Sequence, residues 1–327
     1  MTSRGLRTDE HDAFERPRRR TKPRTKDRPD YTTAEIGMII TVDRGRYRTL
    51  IDDDREVTAT KARQLGRTGV IVGDRVRIVG DTTGDQGSLA RIVGVEERAT
   101  VLRRTADDDD PFERPIVANA DQLVIVTALA DPPPRTGMID RILVAGFEAG
   151  LQPLLCLTKS DLASPDELVA AYAPLGVSVT TTQPQTDLTE LRGFLAGHRS
   201  VFVGHSGVGK STLVNALIPG VGRATGHVNE VTGRGRHTSS AAIALRLPDG
   251  AGWVIDTPGV RSFGLSHVTP AGIIAAFSDL AEISRDCPRG CTHGDDIPEC
   301  ALDDAVERGE LSAARLESFR RMIRSGQ

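Results

Sequence analysis

Between Ile36 and Val95 the apolar residues come in short alternating runs: Ile36–Val42, Tyr47–Ile51, Glu56–Thr60, Val70–Val72, Arg75–Val79 and Ala90–Val95. Glycine and aspartate turns separate them, among them Asp43-Arg44-Gly45, Gly73-Asp74 and Gly80-Asp81. A period of two broken by such residues predicts about five short strands, and a small closed barrel of the oligonucleotide-binding (OB-like) type is the commonest arrangement at this size. Residues 36–105 are assigned to it, although any other small barrel gives the same pattern. Tyr47 is almost its only aromatic residue, which argues for contact with a nucleic-acid backbone rather than stacking on bases.

After Asp107-Asp108-Asp109-Asp110-Pro111, an exposed linker by composition, the period changes. Apolar runs at Leu123–Val126, Leu154–Leu157, Val201–Val203 and Trp253–Ile255 alternate with helix-like stretches such as Met138–Ala149 and Pro165–Ala173. Strands buried on both faces read as continuous apolar runs, so residues 106–268 are expected to form an α/β domain with a parallel sheet. Residues 269–327 are helical in pattern. The last helix places Leu316, Phe319 and Ile323 on one face and Arg315, Arg320, Arg321 and Arg324 elsewhere.

Composition adds limits. The chain has 327 residues, 38% hydrophobic and 27% charged, and no apolar run approaches the roughly 18 residues of a membrane helix. The start, Met1-Thr2-Ser3-Arg4-Gly5, has no signal-peptide core, so a cytoplasmic protein is expected. The formal net charge of −3 conceals a basic segment: Arg16 to Arg28 holds eight Arg or Lys against one acid, Asp27, with Pro17, Pro23 and Pro29 around them. With so little apolar surface, residues 1–35 read as a disordered basic arm, either a solvated tail or a contact for a phosphate backbone. Of four cysteines, Cys156 sits alone in an apolar strand, whereas Cys287, Cys291 and Cys300 cluster beside His293. Without a secretion signal, that cluster favours metal over disulfide.

The strongest motif is Gly204-His205-Ser206-Gly207-Val208-Gly209-Lys210-Ser211, which follows the strand-like Val201–Val203 and precedes the helix-like Thr212–Leu217. That spacing and context define a phosphate-binding loop, in which backbone N–H groups surround the phosphates, lysine reaches the β and γ phosphates and serine holds Mg²⁺. Asp256-Thr257-Pro258-Gly259 ends a second buried strand. There Asp256 suits the Mg²⁺ side and the Gly259 N–H the γ phosphate. Thr158-Lys159-Ser160-Asp161 follows the strand Leu154–Leu157. Guanine presents N1–H and N2–H₂ side by side, and one carboxylate accepts from both, whereas adenine has no such pair of donors on that edge. The ligand expected is GTP or GDP with Mg²⁺; Asp161 disfavours an ATPase.

The order of the motifs is unusual. In ordinary GTPases the phosphate loop comes first and the base-reading motif last, yet here Asp161 lies 43 positions before Gly204. The domain is therefore read as circularly permuted, a change that compact domains tolerate because their termini lie at the surface. The segment after Gly259, which should respond to the γ phosphate, then runs directly into the C-terminal region.

With Gly73-Asp74-Arg75-Val76, Ala118-Asn119-Ala120-Asp121-Gln122, the permuted motifs and the cysteine cluster, the chain resembles the bacterial ribosome small-subunit-dependent GTPase family (RsgA/YjeQ) from Ile36 to the last helix. The resemblance implies an oligonucleotide-binding barrel, hydrolysis of GTP stimulated by the 30S subunit, contact with 16S rRNA and a late role in maturing that subunit. A monomer without membrane attachment is expected. The alternative is a GTP-dependent RNA-binding switch or scaffold in which hydrolysis is incidental.

Cys287, Cys291, His293 and Cys300 supply three thiolates and an imidazole, a complete tetrahedral set for one structural zinc. The family spaces the first pair by four residues and the His–Cys pair by five; the gaps here are three and six. Gly233 to Ser240 lies where the first switch belongs, and Thr238 or Ser239 is expected to complete the Mg²⁺ shell. Val260 stands where many GTPases carry a water-orienting glutamine. The resemblance nominates His237 for that catalytic role, with His205 a weaker candidate and a loop histidine without a role the plain alternative.

Overall fold

The structure is a computed structural model that describes residue 31 and residues 34–51, 54–66, 68–104, 114–220, 242–258, 270–295 and 297–326. Nearly all of the basic arm lies outside the described residues. The alternating runs form β1 (Glu35–Asp43), β2 (Arg46–Ile51), β3 (Glu56–Lys61), β4 (Arg75–Gly80) and β5 (Ala90–Val95). β1, β2 and β3 are antiparallel neighbours; β5 pairs parallel with β3 and antiparallel with β4, and β4 returns to β1. The expected five-stranded barrel is thus closed, with Ile39, Val57, Ala59, Val76, Ile78 and Ile92 inside, each at most 1% exposed. Val70–Val72 makes only an isolated parallel bridge, Val72 with Val117. The Ile71 N–H that a regular strand would pair is taken by the Asp74 carboxylate at 2.8 Å.

β6 (Val101–Arg104) and β7 (Arg114–Ala118) then pair antiparallel. The acidic run connects these two paired strands, and the division assigned at 105/106 falls between them. The α/β region follows with β8 (Gln122–Ala128), α1 (Thr136–Glu148), β9 (Gln152–Thr158), α2 (Asp166–Tyr172), β10 (Ser178–Thr182), α3 (Thr189–Leu195), β11 (Arg199–Val203), α4 (Lys210–Leu217), β12 (Ile243–Arg246) and β13 (Trp253–Asp256). The sheet order is β10-β9-β8-β11-β13-β12, parallel except for β12. β8, β9 and β10 build outward on one side, and β11 starts again on the other side of β8. Sheets of this kind bind ligands at the carboxyl ends of the strands where the order reverses, here between β8 and β11.

The barrel and this sheet are continuous, because Thr41 of β1 pairs with Ile243 of β12. Beside that pairing, the Gly73 N–H donates to the Ile39 carbonyl (2.8 Å) and the Ala118 N–H to the Val72 carbonyl (2.9 Å). Asn119 closes the joint: its Nδ2 donates to the Gly73 carbonyl and its Oδ1 accepts from the Ala99 N–H, both at 2.9 Å. The Asp74 carboxylate, fully buried, is matched by two bonds from Arg98 at 2.6 and 2.9 Å.

The C-terminal region contains α5 (Pro270–Ala275), α6 (Ser278–Ile283), α7 (Ala301–Glu307) and α8 (Ala313–Gly326). The predicted apolar face of α8 is buried, with Leu316, Phe319 and Ile323 in the same core as Ile142 and Leu143 of α1. Phe147, Phe277 and Phe319 stack edge to face across that junction, with centroids 4.7 and 5.9 Å apart.

Candidate functional site

The phosphate-loop residues lie at the carboxyl end of β11, in the crevice that the sheet order selects. Gly204 touches β8 so closely that a Cβ there would stand 2.4 Å from the Val126 carbonyl oxygen. Gly209 turns the chain into α4 with φ +89°, a conformation that side chains rarely adopt. Lys210 opens α4 with only 7% of its surface exposed. Its ammonium donates to the Asp256 carboxylate and to the Thr257 carbonyl, so this buried charge is both paired and hydrogen-bonded, as burial requires. The last residues of β13 are thereby joined to the start of α4. Thr257 is tied to β11 in turn, its hydroxyl donating to the Phe202 carbonyl at 2.7 Å.

The residues predicted to read the base come to the same edge from β9. Thr158 is 6% exposed, and its hydroxyl lies 2.6 Å from the Val208 carbonyl and 3.3 Å from that of Thr127. One hydroxyl proton serves one acceptor at a time, and the shorter distance favours the phosphate loop. Lys159, at φ +58°, donates through its ammonium to the Asp131 carbonyl. The Ser160 N–H donates to the Thr182 carbonyl at 3.2 Å, while Asp161 is exposed to solvent. Ser206 and Gly207 at the tip of the loop are exposed, and His205 turns its Nδ1 to the Ser206 carbonyl at 2.8 Å. Three segments far apart in the chain are therefore brought to one edge: 158–161, 204–211 and 256–257. His237, Thr238, Ser239, Gly259 and Val260 lie outside the described residues.

The second cluster has the make-up of a metal-binding set. Nδ1 of His293 stands 3.6, 3.4 and 3.8 Å from the sulfurs of Cys287, Cys291 and Cys300, and all four ligand atoms lie within 4.8 Å of one another. A tetrahedral zinc with bonds of about 2.3 Å to sulfur and about 2.0 Å to nitrogen separates S and N by roughly 3.5 Å. The residues present therefore fit zinc. α7 aims its first N–H groups at the thiols, Ala301 at Cys287 and Leu302 at Cys300, and such donors favour the thiolate that a metal takes. Burial pushes the Cys287 and Cys300 thiols up. Burial, then Arg320, holds His293 below its ordinary value and so neutral, as a ligand must be. Arg320, expected away from the apolar face of α8, is also buried. It donates to the His293 carbonyl at 3.0 Å and forks onto Asp303 at 2.8 and 2.6 Å.

The family model described as RsgA GTPase matches residues 95–266. A small ribosomal subunit biogenesis GTPase RsgA of Pseudomonas aeruginosa is 41% identical over 251 residues, 74% of this chain and 72% of that protein. The protein of that name from Azotobacter vinelandii is 39% identical over 265 residues, 78% and 75% of the two chains. The chain belongs to the RsgA GTPase family. The crystal structure of YjeQ from Thermotoga maritima superposes with a TM-score of 0.65 at 26% identity, over 89% of this chain and 98% of that one. YloQ, described as a circularly permuted GTPase, shares the fold at the same TM-score, with 24% identity over 90% and 96% of the chains. Membership of the RsgA GTPase family makes this chain a GTP-hydrolysing enzyme, and the motif order is the permuted order of that fold.

Within the RsgA family frame, sequence reasoning missed the backbone acceptors that hold the base-reading loop, Val208 and Asp131, and the arginine that holds the metal loop, Arg320. Carbonyls carry no residue signature. The only hint at Asp131 was the turn-forming Asp131-Pro132-Pro133-Pro134.

Proposed function

We propose that this chain is a biogenesis GTPase of the small ribosomal subunit, a cytoplasmic monomer that binds 16S rRNA through its barrel and releases the subunit as GTP is hydrolysed. The observation that carries the reading is the convergence of the three permuted motifs on one sheet edge, in a chain about 40% identical to proteins named for that role. Asp161 accepts the two guanine donors and Lys159 flanks the base. N–H groups of Gly204 to Ser211 and the Lys210 ammonium hold the phosphates. The Ser211 hydroxyl, the Asp256 carboxylate and a hydroxyl from Thr238 or Ser239 would hold Mg²⁺. That ion, when bound, neutralises charge that builds on the β and γ oxygens. Gly259 offers its N–H to the γ phosphate. His237 aligns the attacking water, since Val260 has no polar atom for it. Cys287, Cys291, His293 and Cys300 would hold one structural zinc.

Steady-state GTP hydrolysis measured with and without purified 30S subunits tests the reading. Stimulation by the subunit is expected, and His237→Ala should lower the stimulated rate about 10²-fold, the usual contribution of a positioned acid–base group, while leaving GTP affinity near wild type. Absence of any stimulation favours the scaffold reading instead, and full stimulated turnover in His237→Ala moves the water-aligning role elsewhere.

A further inference from the structure

An ionic cluster built on a buried carboxylate joins the C-terminal helix to α1 and α2. Asp140, in α1, is 1% exposed, and Arg321 of α8 donates from Nε to its Oδ2 at 3.1 Å. The same guanidinium donates from Nη2 to the Ala171 carbonyl at the end of α2 (3.2 Å) and lies 4.9 Å over the Tyr172 ring. Tyr172 is fully buried; its hydroxyl stands 3.3 Å from the Thr136 carbonyl, at the start of α1, and also faces Asp140. Burial and the Asp140 charge push the phenol well up, so it remains a donor. Ser318 and Arg315 add donors to the Ala171 and Pro174 carbonyls.

The position of this cluster gives it a consequence for the nucleotide. α1 begins at Thr136, five residues after Asp131, whose carbonyl holds Lys159; α2 begins at Asp166, five residues after Asp161. Such short connections pass any tilt of either helix to the loop before it. A buried carboxylate needs a counter-charge, so moving α8 away from α1 and α2 takes from Asp140 the guanidinium that α8 supplies. We propose that Arg321 and Asp140 are positioning residues that lock α1, α2 and α8 together and so hold Lys159 and Asp161 against the guanine base, making guanine affinity and selectivity depend on the docked C-terminal helix. The inference rests on the reading of Asp161 as the guanine-binding carboxylate.

Arg321→Met alone removes the cation beside a buried carboxylate and can prevent folding. The test therefore uses the full chain carrying Arg321→Met with Asp140→Asn, a neutral pair of similar shape, and separately Arg321→Lys. GDP and inosine diphosphate, which lacks the exocyclic amine, are titrated calorimetrically, which yields stoichiometry as well as affinity. The double variant should bind GDP about fivefold more weakly or worse, the lower end of the range for coupled sites. It should also show a narrowed preference for GDP over inosine diphosphate, with Arg321→Lys recovering part of it. A double variant with wild-type affinity and preference, or one that loses only stoichiometry at an unchanged preference, overturns the proposal. A wild type without preference for GDP would instead remove Asp161 from base recognition, and the proposal with it.

Discussion

Asp161 shows how far a single side chain can be read from its chemistry. It is exposed at the sheet edge; in the proposed function it accepts two donors from guanine, and Asp161→Asn would turn an NH₂ donor toward a donor. Charge-assisted bonds are worth about 1.5–3 kcal/mol each, so competitive nucleotide binding should show the GTP-over-ATP preference of this variant reduced at least tenfold. Unchanged selectivity would take Asp161 out of the site. The neighbouring residues behave differently. Thr158, also part of the motif, turns its hydroxyl inward to the Val208 carbonyl; it fastens the base-reading strand to the phosphate loop, which no spacing in the sequence revealed.

At the scale of elements, the loop between α6 and α7 gathers the four metal-ligating side chains that fit one zinc. In a metal site of this kind binding energy is local folding energy. Purified protein should contain about one zinc per chain by elemental analysis, and Cys291→Ser or a chelator should open protease cleavage between Cys287 and Cys300. A metal-free protein with a protease-resistant loop would refute the site. The pH dependence has a definite sign. Burial holds the Cys287 and Cys300 thiols above their ordinary values, so below those values zinc must displace their protons; affinity rises with pH and zinc is lost as pH falls. His293, whose value is lowered, adds its own proton competition only at the acid end of that fall. Elements with strong periodicity were legible in advance, β1 and α8 among them. β10 was not: Ser178-Val179-Thr180-Thr181-Thr182 has one apolar residue, and it is a strand because β9 offers it a parallel partner in register, Ser178 with Leu154.

Across the whole molecule, the barrel and the GTPase sheet share β1–β12 pairing and the joint at Gly73 and Asn119. Gly73 sits at φ +88°, and a Cβ there would be 1.9 Å from the Ala118 carbonyl oxygen. Gly73→Ala therefore costs about 1–3 kcal/mol for the backbone conformation alone, and the clash adds to it. In wild type, urea unfolding followed by far-ultraviolet circular dichroism and by fluorescence of Trp253, the single tryptophan, should give coincident transitions. In Gly73→Ala the dichroism should begin to fall at lower urea than the Trp253 signal, as the barrel loses its hold on the sheet. Coincident, unshifted curves in the variant would mean that the joint does not couple the two parts.

What the sequence by itself determined is which motifs the chain carries and their order: the phosphate loop, Asp256, the Thr158–Asp161 motif placed ahead of both, and the Cys₃His set. Each of these is a local requirement, a fixed spacing of residue types on one turn or strand end, and local requirements leave a signature in a single segment. The joint of Asp74 with Arg98, the fastening of Thr158 to Val208 and the cluster of Asp140, Tyr172 and Arg321 were decided only by the tertiary structure. Their partners lie 24, 50 and as many as 181 positions apart. A buried charge or hydroxyl needs a partner of the right kind in space, and nothing along the chain specifies which distant residue the packing of helices and strands will bring to it.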